Sequence, residues 1–80
     1  MKQGLTFHIS RHMAQRMAER GISLEDAKNV VCYASEEKRL QKGPNGGILS
    51  KFKKTDGKTL VVLAEIRNNN CWLATAYYES

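Results

Sequence analysis

Residue types that usually announce chemistry are scarce in this sequence: two cysteines, two histidines and one proline among 80 residues. No CxxC or HExxH pattern occurs, and no glycine-rich phosphate loop opens a helix. His8 and His12, with no carboxylate or cysteine close by in sequence, make a poor metal site, so neither a metal nor another cofactor is expected. Cys32 and Cys71 both fall among apolar neighbours. A secreted domain this small would usually carry more cysteines, so two buried thiols in a reducing compartment are expected. No apolar run approaches the roughly 20 residues that a membrane span needs. Met1-Lys2-Gln3-Gly4 lacks the apolar stretch of a signal peptide. The chain is therefore expected to be cytoplasmic and without a membrane partner, and Met1 favours a whole reading frame.

What is present is charge. Thirteen Lys and Arg against eight Asp and Glu give +5 at pH 7 and a pI near 9.5. That balance favours anionic partners, nucleic acid first, with acidic lipid or an acidic inhibitor protein behind it. The plainer reading is that net charge keeps a small protein soluble. Eighty residues make a single domain, 1–80, whose thin core buries only about 60–65% of the surface that the unfolded chain exposes.

Local signals divide the chain into helices and then strands. Ser10 as N-cap and Gly21 just past the end bracket a helix over about 10–20. Met13 and Met17 form its apolar side, and His12, Arg16 and Arg20 repeat every four residues beside them. Ser23 and Asp26 open a second helix over about 23–34, with Leu24, Ala27, Val30, Val31 and Ala34 spaced to face the core. Alternation then predicts strands over about 37–41, 48–54, 58–66 and 71–78. They are separated by the Lys42–Gly47 loop, expected to be mobile at Gly46-Gly47, and by turns at Asp56-Gly57 and Asn68-Asn69. Helices before strands imply an α+β class, two N-terminal helices packed on a three- or four-stranded antiparallel sheet.

Three clusters could meet phosphate. His8, Arg11, His12, Arg16 and Arg20 combine imidazoles that move protons near neutral pH with guanidiniums that hold phosphate oxygens bidentately. The alternative is a solvated basic face. Lys51 and Lys53 share one side of their strand and offer a row of charges to a phosphate backbone, or else protect a sheet edge. Thr75 and Tyr77 project from one face of the last strand, a hydroxyl and a phenol that could bind a phosphate and stack a base. Simple alternation puts Trp72 on the opposite face, in the core.

The segment His8-Ile9-Ser10-Arg11-His12-Met13-Ala14-Gln15-Arg16-Met17-Ala18-Glu19-Arg20-Gly21-Ile22-Ser23 resembles the opening of the bacterial domain-of-unknown-function family 4258. That family shows a His, an Arg and a Glu-Arg followed by Gly-Ile-Ser, and ends on a strand carrying Thr and an aromatic. The same layout is similar to the small ribonuclease toxins that include barnase, colicin D, colicin E5 and RelE. The resemblance implies a metal-independent RNA endonuclease toxin, of the toxin–antitoxin or colicin-like type, acting on tRNA or mRNA, at the ribosome or away from it. By position, His12 looks like the acid/base residue, Arg16 a phosphate holder, Thr75 the strand hydroxyl and Tyr77 the aromatic beside it. Lys51 or Lys53 would supply charge to the transition state. His8, Arg11 and Arg20 would bind RNA, and an acidic antitoxin or immunity protein would cover the basic face. With no second histidine on the predicted sheet, the general base stays open. The competing expectations are a non-catalytic RNA-binding module, or a protein-interaction subunit docking through Met13 and Met17.

Overall fold

A computed structural model describes residues 4–79; Met1–Gln3, on which the reading of the chain's start rests, lie outside the described residues. In chain order the elements are β1 (Thr6–His8), α1 (Arg11–Glu19), α2 (Leu24–Tyr33), β2 (Glu36–Lys42), β3 (Ile48–Asp56), β4 (Lys58–Arg67) and β5 (Asn70–Glu79).

Both helices are fixed at their ends by local chemistry. The Ser10 Oγ accepts from the Met13 N–H at 3.0 Å, which starts α1. Past Arg20 the chain turns at Gly21, φ 69°, where Gly21 N–H donates to the Ala18 carbonyl and Ile22 N–H to the Met17 carbonyl. That paired closure requires a left-handed residue, and it delivers Ile22 into the core. Ser23 and Asp26 then bond reciprocally across the first turn of α2. Met13 and Met17 from α1, and Ala27, Val30 and Val31 from α2, are buried. The two methionines therefore form no exposed docking patch. Leu24, expected to face the core, is instead exposed at the first turn of α2.

The expected antiparallel sheet is corrected here. There are five strands in the order β1-β5-β4-β3-β2, and the sheet is mixed. β2, β3, β4 and β5 run antiparallel to their neighbours, but β1 lies parallel to β5 through Thr6–Asn70, Phe7–Cys71 and His8–Trp72. A three-residue strand is too short to show a period, and its partner lies more than sixty residues away. Parallel pairing needs a long crossover, here almost the whole chain. β1 and β2 form opposite edges, and the helices carry the chain between them across one face. On that face Phe52, Leu60, Val62, Ala64, Cys71, Leu73 and Ala76 meet the buried helix residues. Both cysteines are free thiols.

Two register slips reset which side chains share a face. Between β4 and β5, Leu63 pairs with Thr75 but Ala64 pairs with Leu73, so Ala74 is an extra residue. Between β2 and β3 the extra residue is Leu40. Each bulge inverts the alternation beyond it. Trp72 therefore shares a face with Thr75 and Tyr77, away from the helices, and the expectation that it belongs to the helix-side core is overturned.

The loop between β2 and β3, read as mobile, is tied down by one carboxylate. Glu65 is 2% exposed. Its Oε2 accepts from the Asn45 and Gly47 backbone N–H groups at 2.8 and 2.7 Å, and its Oε1 from Asn45 Nδ2 at 3.0 Å. A side chain at Gly43 would collide with the Glu65 carboxyl, which is why glycine stands there. Replacing Glu65 by Ala would strand those donors, so Glu65→Ala should lose about 2–4 kcal/mol of stability. Urea unfolding of the two proteins measures the difference; a loss below about 1 kcal/mol would show that the loop is not held by this carboxylate.

Candidate nucleic-acid interface

The face of the sheet turned away from the helices carries most of the polar candidates, and strand register orders them in rows. Lys38, Lys51, Leu63 and Thr75 stand opposite one another across β2, β3, β4 and β5. The next row is Glu36, Lys53, Val61 and Tyr77. On the other side of the first row come Gln41, Leu49, Glu65, Trp72 and, on β1, His8. Neighbouring strands are about 4.8 Å apart, so Lys51 and Thr75 are separated by about 10 Å of sheet. Val61 is fully buried although it lies outside the helix-side core; its neighbours on this face, Lys53 and Tyr77, are half-buried. Lys53, Tyr77, Thr75 and Lys51 are thus brought onto one surface.

The charges on this surface are unevenly matched. Lys53 Nζ lies 2.9 Å from Glu79 Oε2, and that hydrogen bond, the charge of Glu79 and the more distant Glu36 raise its pKa above the usual 10.5. A raised lysine pKa stabilises the fold below 10.5 and loses its effect only at higher pH, so this pair is intact throughout the neutral range. Lys38 and Lys51 directly oppose each other and join no ion pair among the described residues. Like charges in that arrangement repel. An anion lying between them would relieve the repulsion.

At the β1 edge, His8 stacks on Trp72 with ring centroids 5.2 Å apart and planes 19° from parallel. Its Nε2 lies 2.9 Å from Asn70 Oδ1. An amide oxygen only accepts, so Nε2–H is the donor in this contact. Thus a histidine does reach the sheet, through the short strand that the sequence pattern does not reveal.

The cationic stripe of α1 lies in the other layer. The side chains of Arg11, His12 and Arg16 are exposed and make no hydrogen bond or ion pair among the described residues. Arg20 is tied down: its Nη1 donates to the Ala76 carbonyl at 2.8 Å. Ala76 lies between Thr75 and Tyr77, in the part of β5 beyond its pairing with β1, so the stripe ends against the edge of the strand carrying those two side chains. His8 and His12 are placed on different elements, one on the bare face and one on the helix layer. Trp72, Asn70 and Lys38 join the surface unforeseen; only the bulge at Ala74 could have indicated Trp72, and nothing in the residue pattern marks it.

Among the described residues, no three His, Cys, Asp or Glu side chains are grouped to hold a metal ion, and no helix is long and apolar enough to cross a membrane. Two depressions beside α2, one of about 200 Å³ lined by Asp26, Lys54, Asp56, Lys58 and Tyr78, include none of the sites named from the sequence. Because Lys51 faces Lys38, Lys51→Gln should raise stability by about 0.2–0.5 kcal/mol. Urea midpoints test this; a loss above about 1 kcal/mol would show that the lysine stem packs on the sheet and outweighs the repulsion.

A family model described as a domain of unknown function (DUF4258) matches residues 9–78. No curated protein and no solved structure matches the chain.

Proposed function

The chain belongs to the DUF4258 family, and from the surface it carries we propose that it is a metal-independent RNA endonuclease of the toxin type. The ribose 2′-OH attacks the adjacent phosphorus while a base removes its proton. The bond to the 5′ oxygen breaks, an acid protonates that oxygen, and the products end in a 2′,3′-cyclic phosphate and a 5′-OH. His12 is the proton carrier. Arg16, one turn along the same helix, holds the extra negative charge of the phosphorane, while Lys51, Thr75 and Tyr77 on the bare face hold and position the adjoining nucleotides. Lys53, His8, Arg11 and Arg20 line the path of the RNA strand.

The observation that carries this reading is the meeting of two cationic surfaces at β5. The bare face brings Lys51 into the row of Thr75, and Arg20 anchors the α1 stripe to the carbonyl between Thr75 and Tyr77. The net charge of +5 supports a polyanionic substrate. The resemblance to the small ribonuclease toxins supports cleavage over binding alone, and an acidic antitoxin or immunity protein would neutralise the same surface. A second reading, an RNA-binding module without cleavage, draws support from His12 itself, whose imidazole has no orienting hydrogen bond among the described residues.

The two separate on one gel. Total tRNA and a structured mRNA, with and without ribosomes, are incubated with the protein in EDTA beside His12→Ala. Discrete fragments ending in cyclic phosphate, lost at least about 100-fold in the variant, are expected if His12 moves the proton. Intact RNA with a salt-sensitive mobility shift in both lanes would leave the binding module instead.

A further inference from the structure

The pair of His8 and Trp72 is not required by the cleavage chemistry, yet it is held in place by two separate contacts. Trp72 is half-buried, and among the described residues the ring stacked on it belongs to an exposed histidine. Fixing an exposed side chain sacrifices rotamer freedom. Here the ring is fixed twice, by the stack on the indole and by the Asn70 amide oxygen. The result is a flat, preorganised ring whose outer face continues the stack into solvent. One row along β5 lies Thr75, and the opposed Lys51 and Lys38, where a phosphate would relieve repulsion, continue that row two and three strands farther across the sheet.

We propose that His8 and Trp72 form a base-stacking subsite, which takes one unpaired nucleobase of single-stranded RNA while the backbone runs on past Thr75 and, further across the sheet, toward Lys51 and Lys38. The inference rests on RNA being the ligand of this face, as in the reading above. Single-stranded RNA is the occupant because a base within a duplex has both faces covered by its neighbours, whereas an unstacked base offers one to an aromatic ring. Asn70 serves as a positioning residue: it holds the imidazole plane against the indole and leaves the outer face clear. Subsite occupancy orders the nucleotide beside Thr75 and fixes which phosphate reaches the basic groups.

Trp72 is the only tryptophan in the chain, so its emission reports on this subsite alone. The probes are a 2′-O-methyl adenosine hexamer, which cannot be cleaved, and an abasic hexamer with the same backbone charge. Binding of each is followed by the anisotropy of an end label. The base-bearing hexamer should change the Trp72 emission and the abasic one should not at equal occupancy. His8→Ala should weaken the base-bearing hexamer about five-fold or more and leave the abasic one unchanged. His8→Phe, which keeps a ring but not the hydrogen bond, should restore most of that affinity, with far-ultraviolet dichroism confirming that each variant folds. Equal affinity for both hexamers, unchanged Trp72 emission, or no binding of either overturns the subsite. Cleavage of unmodified RNA is scored separately: emission change without cleavage sustains the subsite and overturns only the nuclease, and cleavage without emission change does the reverse.

Discussion

Burial of one sheet face beneath α1 and α2 is the interaction on which the rest of the molecule depends. Phe52, Val62, Ala64, Leu73 and Ala76 meet Met13, Met17, Ala27, Val30 and Val31 in a single thin core. A domain of this length has little surface to remove from water, and two short helices cover one face of the sheet. The opposite face is left as a single layer. There the strands place long lysines, a tyrosine and a tryptophan, whose stems and rings shield Val61 and Leu63 while their polar ends stay wet. The bare face is thus a consequence of the core's economy, and it is also the one broad surface on which an extended ligand could lie.

The two bulges decide what that surface contains. Without the extra Ala74, strict alternation would turn Trp72 toward the helices while Thr75 and Tyr77 faced away. The slip keeps Leu73 and Ala76 in the core and yet brings Trp72 out beside Thr75. At the far end of this face, the Glu65 carboxylate gathers the β2–β3 loop into a fixed rim. A buried carboxylate with three N–H donors is satisfied by its own loop, so it is a structural anchor.

What could be read from residues alone follows the range of the forces involved. Ser10, Gly21, Ser23 and Asp26 act on groups within five positions of themselves, and their capping geometry is legible without any tertiary information. The alternation of β3 is legible too, because its centre buries Ser50 and Phe52 on one face and leaves Lys51 and Lys53 partly open on the other. β1 is invisible for the opposite reason: three residues hold no period, and its pairing with β5 is decided at the other end of the chain. The facing of Trp72 failed because a bulge is a property of a strand pair, and no single strand encodes it. Of the candidate site, Lys51 and Lys53 could be assigned to one face from spacing, as could Thr75 and Tyr77. That these two pairs lie on the same face required the sheet register, and so did the presence of His8 beside them.

Electrostatics gives the surface its direction. Three cations are engaged within the fold: Lys53 with Glu79, Lys28 with Glu25, Arg20 with the Ala76 carbonyl. Lys38 and Lys51 are set against each other, and Arg11 and Arg16 stand without an acid among the described residues. The opposed lysine pair thus lies on the bare face, and the two exposed arginines lie on the helix that Arg20 ties to β5. A polyanion bridging the two would cross the β5 edge at Ala76, between the hydroxyl of Thr75 and the phenol of Tyr77. Repulsion between fixed cations weakens the free protein slightly and is relieved only when such a ligand binds, so the same charges that add nothing to folding stability favour the bound state.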